Sequence, residues 1–112
     1  MYGEVFTMKI QGISGKEYIF EGPYASTYLI DNRSGVYEIV DRFNGKYHLL
    51  DVGESHEVKN RLDNHDRKDC WLRKKNGVIE YCVYYTPDKQ QSGRKEVEQD
   101  IRNNYQNLCG ER

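Results

Sequence analysis

Gly35-Val36-Tyr37-Glu38-Ile39-Val40-Asp41-Arg42-Phe43-Asn44-Gly45-Lys46-Tyr47-His48-Leu49-Leu50-Asp51-Val52-Gly53 decides how this chain folds. Two β-prone runs, Val36 to Asp41 and Tyr47 to Val52, meet at Asn44-Gly45. That dipeptide reaches positive φ at low cost, so the stretch predicts an antiparallel hairpin with a two-residue turn. A strict two-residue loop sets Tyr37 opposite Val52 and turns Asp51 to the other sheet face. A site using both Tyr37 and Asp51 therefore needs a bulge or a longer loop.

Upstream, Val5 to Ile10 and Glu17 to Phe20 read as two short strands around Gly12-Ile13-Ser14-Gly15. Glu21-Gly22-Pro23 breaks the pattern, and Ala25 to Leu29 reads as a short helix or an extended connection. Downstream, Ser55 is a candidate cap for a helix from His56 to Asp66. Asp69 to Lys75 reads as a charged connection around Trp71, Val78 to Thr86 as a tyrosine-rich strand, and Gly93 to Tyr105 as a helix. The order predicts an α+β domain: a small, mainly antiparallel sheet flanked by helices, with an N-terminal β-hairpin extension. Residues 1–112 form one domain in this reading, the extension being 1–33 and the core 34–110.

With 112 residues, 37% hydrophobic and 31% charged, the chain suits one modest core. No run approaches the roughly 20 apolar residues that span a bilayer, and the first residues lack the pattern of a signal peptide. A cytoplasmic location is the expectation. Cys70, Cys82 and Cys109 form no C-x-x-C unit and read as three reduced thiols, with a zinc site of Cys70, His65 and Cys109 as the alternative. Net charge is −1, but residues 58–75 hold seven Lys/Arg against three Asp/Glu. That block includes Arg67, Lys68, Arg73, Lys74 and Lys75, a phosphate-facing patch or ordinary solvated charge.

Helical phase adds a second constraint. At roughly 100° per residue, Val58 and Leu62 mark the packing stripe of the first predicted helix, and Arg61 and His65 fall on or beside it. Val97 and Ile101 mark the stripe of the last helix, with Glu98 at its edge. An arginine, an imidazole and a carboxylate leaning inward need partners. They form either a structural ion-pair cluster or a site. The ten tyrosines read as strand packing, and Trp71 as a lid on the core or a stacking surface.

Gly35-Val36-Tyr37, Asp51-Val52-Gly53, Arg61, His65 and Glu98, in that order, resemble the pattern of the GIY-YIG nuclease superfamily. The runs Leu50 to Ser55 and His65 to Trp71 and the ending Cys109-Gly110-Glu111 are similar to a bacterial subgroup of small proteins of that kind. The resemblance spans residues 34–110. It implies a DNA endonuclease using a divalent cation, Mg²⁺ or Mn²⁺. Tyr37 would act as base or water-orienting group, and Arg61 and His65 would contact the scissile phosphate, His65 sharing the base role. Glu98 would bind the metal. Asp51 stands where the family has its second tyrosine, and Glu54 where a basic residue is common. Both put negative charge where a phosphate approaches. Two other readings follow: a nucleic-acid-binding module that has lost cleavage, and a protein-interaction domain with a purely structural cluster. With no second domain in view, a partner protein would supply target choice.

Overall fold

The computed structural model describes residues 6–110, so Val5 and Glu111 of the readings above lie outside the described residues. Five strands, β1 (Thr7–Gln11), β2 (Glu17–Tyr24), β3 (Gly35–Phe43), β4 (Lys46–Ser55) and β5 (Val78–Tyr85), make one antiparallel sheet in the order β1-β2-β5-β3-β4. Helices α1 (Val58–Asp63), α2 (Lys68–Lys74) and α3 (Gln91–Arg102) complete an α+β fold. No helix among the described residues is long and apolar enough to cross a membrane.

Alternation along the strands explains the two cores. Val36, Val40 and Val52 pack with Val97 and Ile101 of α3 on one face. Tyr37, Ile39 and Val83 pack with Val58, Leu62 and Trp71 of α1 and α2 on the other. The helical stripes expected from phase are thus the buried ones. The two helix groups lie on opposite sides of the sheet, and β4 is its last strand.

Both the two-residue turn and a bulge occur in the β3–β4 hairpin. Asn44 and Gly45 take φ of 53° and 72° and close the pair Phe43–Lys46. Val40 pairs with Leu49, but Ile39 then pairs with Asp51, leaving Leu50 unmatched. The extra residue moves Tyr37 from the expected Val52 to Gly53 and brings Asp51 onto the face of Tyr37.

Three predictions are corrected. The first helix stops at Asp63, so His65 lies beyond it, and Asn64 turns its amide back to the Asn60 carbonyl at 3.0 Å. Ser55 does not cap that helix; Glu57 precedes it, and Ser55 Oγ accepts the Glu57 N–H at 3.0 Å. Asp69 to Lys75 is no mere connection, because Lys68–Lys74 is helical around a Trp71 only 1% exposed. One indole supplies the apolar surface, and the charged residues are the solvent side.

The cysteine expectation is also overturned. Cys70 and Cys109 form a disulfide, and buried Cys82 is the free thiol. The bonded sulfurs are no longer thiolate donors, which removes the zinc alternative. The bridge ties α2 to the C-terminal segment across 39 positions. Closing a loop of that size contributes about 4 kcal/mol in the chain-entropy account. Urea unfolding with and without dithiothreitol is expected to show a loss of that order, and coincident curves would deny the bridge any role.

Two polar side chains on the α3 face stand out. Asp100 accepts hydrogen bonds from the Ser14 N–H (2.9 Å), Ser14 Oγ (2.7 Å) and the Tyr18 hydroxyl (2.7 Å), fastening the β1–β2 turn to α3. Glu38, opposite Val52 and Cys82, is fully buried, and among the described residues neither carboxyl oxygen has a hydrogen-bond partner. Burial pushes its carboxyl up to about 8.

Candidate functional site

A polar cleft of about 500 Å³ opens at the β4 edge, lined among others by Tyr37, Gly53, Arg61, Arg67, Arg94 and Glu98. Among the described residues no strand pairs beyond β4, so Arg61 from one side of the sheet and Glu98 from the other reach the same space.

The two glycines of the sequence pattern are explained by close approach. A Cβ on Gly53 would lie 2.1 Å from Tyr37 Oη, so the phenol reaches the cleft by crossing over Gly53. A Cβ on Gly35 would meet the Tyr84 carbonyl oxygen at 2.7 Å. Any side chain at Gly53 would displace the tyrosine or the strand.

Tyr37 Oη lies 2.5 Å from His65 Nε2, with the rings edge to face. His65 Nδ1 accepts the Arg67 backbone N–H at 3.0 Å, and the imidazole rests 4.6 Å from the Trp71 ring centre. Burial pushes the Tyr37 hydroxyl up to about 12, although Arg67 and Arg61 pull it the other way. Burial and the same two guanidinium groups pull His65 down to about 4. Near neutral pH the pair is an uncharged imidazole beside an un-ionised phenol.

Arg61 is half-buried and its Nη2 donates to Asp66 Oδ1 at 2.8 Å. Asp66 is largely exposed, so a bound anion can compete for that guanidinium. Glu98 keeps 19% of its side chain exposed, with Oε2 accepting Arg102 Nε at 3.1 Å. Glu54 is already neutralised: its Oε2 accepts Arg94 Nε at 2.8 Å, with both side chains about nine-tenths buried. The repulsion expected from Glu54 is therefore largely offset.

Asp51 does not line the cleft. Fully buried, it accepts Arg67 Nε at 2.8 Å and Nη2 at 3.1 Å, Trp71 Nε1 at 2.7 Å and Arg102 Nη2 at 2.6 Å. Arg102 also donates to the carbonyls of Val52 and Cys109. Asp51 is thus the anchor of a network joining β4, α2, α3 and the disulfide. Of its partners, Arg67 lines the cleft, whereas Trp71 and Arg102 are almost wholly buried.

The basic block divides. Arg67 turns inward to Asp51 and is the member of the five that lines the cleft. Lys68, Arg73, Lys74 and Lys75 are exposed; Lys68 donates to the Asp63 carbonyl at 2.8 Å, Lys74 to that of Asn107, and Lys75 to that of Gly77 at 3.2 Å. Sequence reading missed Arg94 and Arg102, which flank Glu98 one helical turn away on each side. Their i, i+4 spacing was the available signal.

Among the described residues, no group of three or more His, Cys, Asp and Glu could hold a metal ion. Of the two carboxylates that line the cleft, Glu54 is paired with Arg94 and Glu98 is the more exposed, which fits a cation taking its other ligands from water and a substrate phosphate. No known family's sequence pattern, no curated protein and no solved structure matches the chain.

Proposed function

We propose that the β4-edge cleft hydrolyses phosphodiester bonds of DNA as a GIY-YIG-type endonuclease. The observation that carries this reading is the presence of Tyr37, Arg61 and Glu98 in one cleft although the helices of Arg61 and Glu98 lie on opposite sides of the sheet. The core order β3-β4-α1-α2-β5-α3 is in keeping with it. In this reading the Tyr37 hydroxyl orients the attacking water, and Arg61 leaves exposed Asp66 to neutralise the phosphate. Arg102 holds Glu98 toward the cleft, where its carboxylate would bind Mg²⁺ or Mn²⁺. The cation would add charge neutralisation at the phosphate. Lys68, Arg73, Lys74 and Lys75 would track the DNA backbone beside the cleft. The disulfide favours an oxidising compartment over the cytoplasm as the place of action.

A second reading, binding without cleavage, draws on Asp51. An aspartate stands there in place of the family's second tyrosine and is fully buried, so the cleft is one hydroxyl short of the family pattern. Both readings meet the same experiment: purified protein with supercoiled plasmid and with single-stranded DNA, in Mg²⁺, Mn²⁺ or chelator, beside Glu98→Gln. Nicking that needs the metal and falls at least ~100-fold in Glu98→Gln is the expected result, since lost charge stabilisation at a reacting phosphate is of that order. Arg102 keeps three other acceptors, so the variant should melt within a few degrees of wild type. No cleavage under any metal, with salt-sensitive DNA affinity retained, would leave the binding module. Neither cleavage nor binding would leave the interaction domain.

A further inference from the structure

We propose that His65 is a positioning residue that donates its Nε2 proton to Tyr37 Oη, and that it takes up no proton in the reaction. Its consequence for turnover rests on the nuclease reading; its hydrogen-bond content does not.

The deciding contact is on the far side of the ring. The Arg67 backbone N–H can only donate, and it meets His65 Nδ1 at 3.0 Å. Nδ1 must therefore offer a lone pair. A neutral imidazole carries one ring proton, which is left to Nε2, the atom 2.5 Å from Tyr37 Oη. A histidine acting as base toward Tyr37 needs the opposite tautomer, bare at Nε2 and protonated at Nδ1. That form, like the imidazolium, would set two N–H donors against each other in a site where the side chain is wholly buried.

The charged surroundings agree. Arg61 and Arg67 disfavour a further positive charge on the ring; Asp66 Oδ1 also lies 3.4 Å from Nδ1, but that oxygen already accepts Arg61 Nη2 at 2.8 Å, and Asp51 is engaged by Arg67. Trp71 and Tyr37 pack against the imidazole. With its oxygen accepting from His65, the phenol has its own proton to present to the cleft. Tyr37 meets its ligand as a hydrogen-bond donor, and His65 fixes the direction of that bond.

The test uses the full chain and two readouts. In ¹⁵N-histidine NMR at pH 7, His65 is expected to show a protonated Nε2 and an unprotonated Nδ1, unchanged between pH 5.5 and 8. In the cleavage assay, His65→Gln can donate an N–H near the same place but cannot act as a base, whereas His65→Leu can do neither. The glutamine variant is expected to recover at least ten-fold of the activity lost in His65→Leu, with the pH dependence of wild type. An Nδ1–H tautomer or an imidazolium in the spectrum would overturn the assignment. So would a folded His65→Gln as inactive as folded His65→Leu. If the wild type cuts nothing, the nuclease reading fails while the spectrum still decides which ring nitrogen carries the proton.

Discussion

Asp51→Ala is expected to unfold the domain or leave it barely folded, although Asp51 touches no cleft surface. The carboxylate is fully buried and receives two guanidinium groups and an indole N–H. Deleting one partner of a buried ion pair costs about 3–5 kcal/mol, because the remaining charge stays desolvated. Here Arg67 and Arg102 both lose their carboxylate, so the loss should reach at least the upper end of that range. Small domains have a total stability of about 5–15 kcal/mol. Asp51→Asn keeps an acceptor for Trp71 and should fall between alanine and wild type. Urea unfolding followed by circular dichroism measures all three. An alanine variant as stable as wild type would strip Asp51 of its anchoring role.

Glu38→Gln is expected to remove most of a fall in stability that the wild type shows between pH 5 and 8. The sign follows from the direction of the shift. Burial raises the folded carboxyl from about 4.5 to about 8, so the fold holds it protonated where an unfolded chain would ionise it. The penalty is absent below the unfolded value, grows as pH rises from there to the folded value, and is constant above it. Each pH unit in that window costs up to about 1.4 kcal/mol. Several kcal/mol thus separate the ends, and glutamine, which cannot ionise, should escape that slope. Denaturant midpoints at pH 5, 6.5 and 8 give the comparison. Parallel curves for the two proteins would mean that Glu38 finds a partner or water when ionised.

What the sequence made legible, and what it hid, divides along physical lines. Strand alternation and the positive-φ turn at Asn44-Gly45 are local, and they foretold β3, β4 and their hairpin. Helical phase, also local, identified Val58, Leu62, Val97 and Ile101 as packing residues. The bulge at Leu50 was foreseen only as a requirement of using Tyr37 with Asp51. Nothing in Leu49-Leu50 marks which residue is unmatched, because tertiary packing decides it. Helix α2 escaped notice because one tryptophan is too little for a periodic signal. The Cys70–Cys109 bridge depends on where the chain end returns, which spacing does not reveal. Asp51 was drawn to the site by its place in the family pattern, whereas the structure makes it an anchor.

The Asp100 contacts change what should count as the smallest useful piece of this protein. Residues 34–110 contain every side chain named in the cleft and look self-sufficient by that measure. Yet Asp100 sits two positions beyond Glu98 on α3, and its three hydrogen-bond donors come from residues 14 and 18. Trimming to the core would release that grip, uncover the part of the α3-side core under Ile10 and Phe20, and turn β5 into an unpaired edge. The β1–β2 segment is therefore scaffolding for α3, and any excised or grafted version of the cleft needs to carry it along.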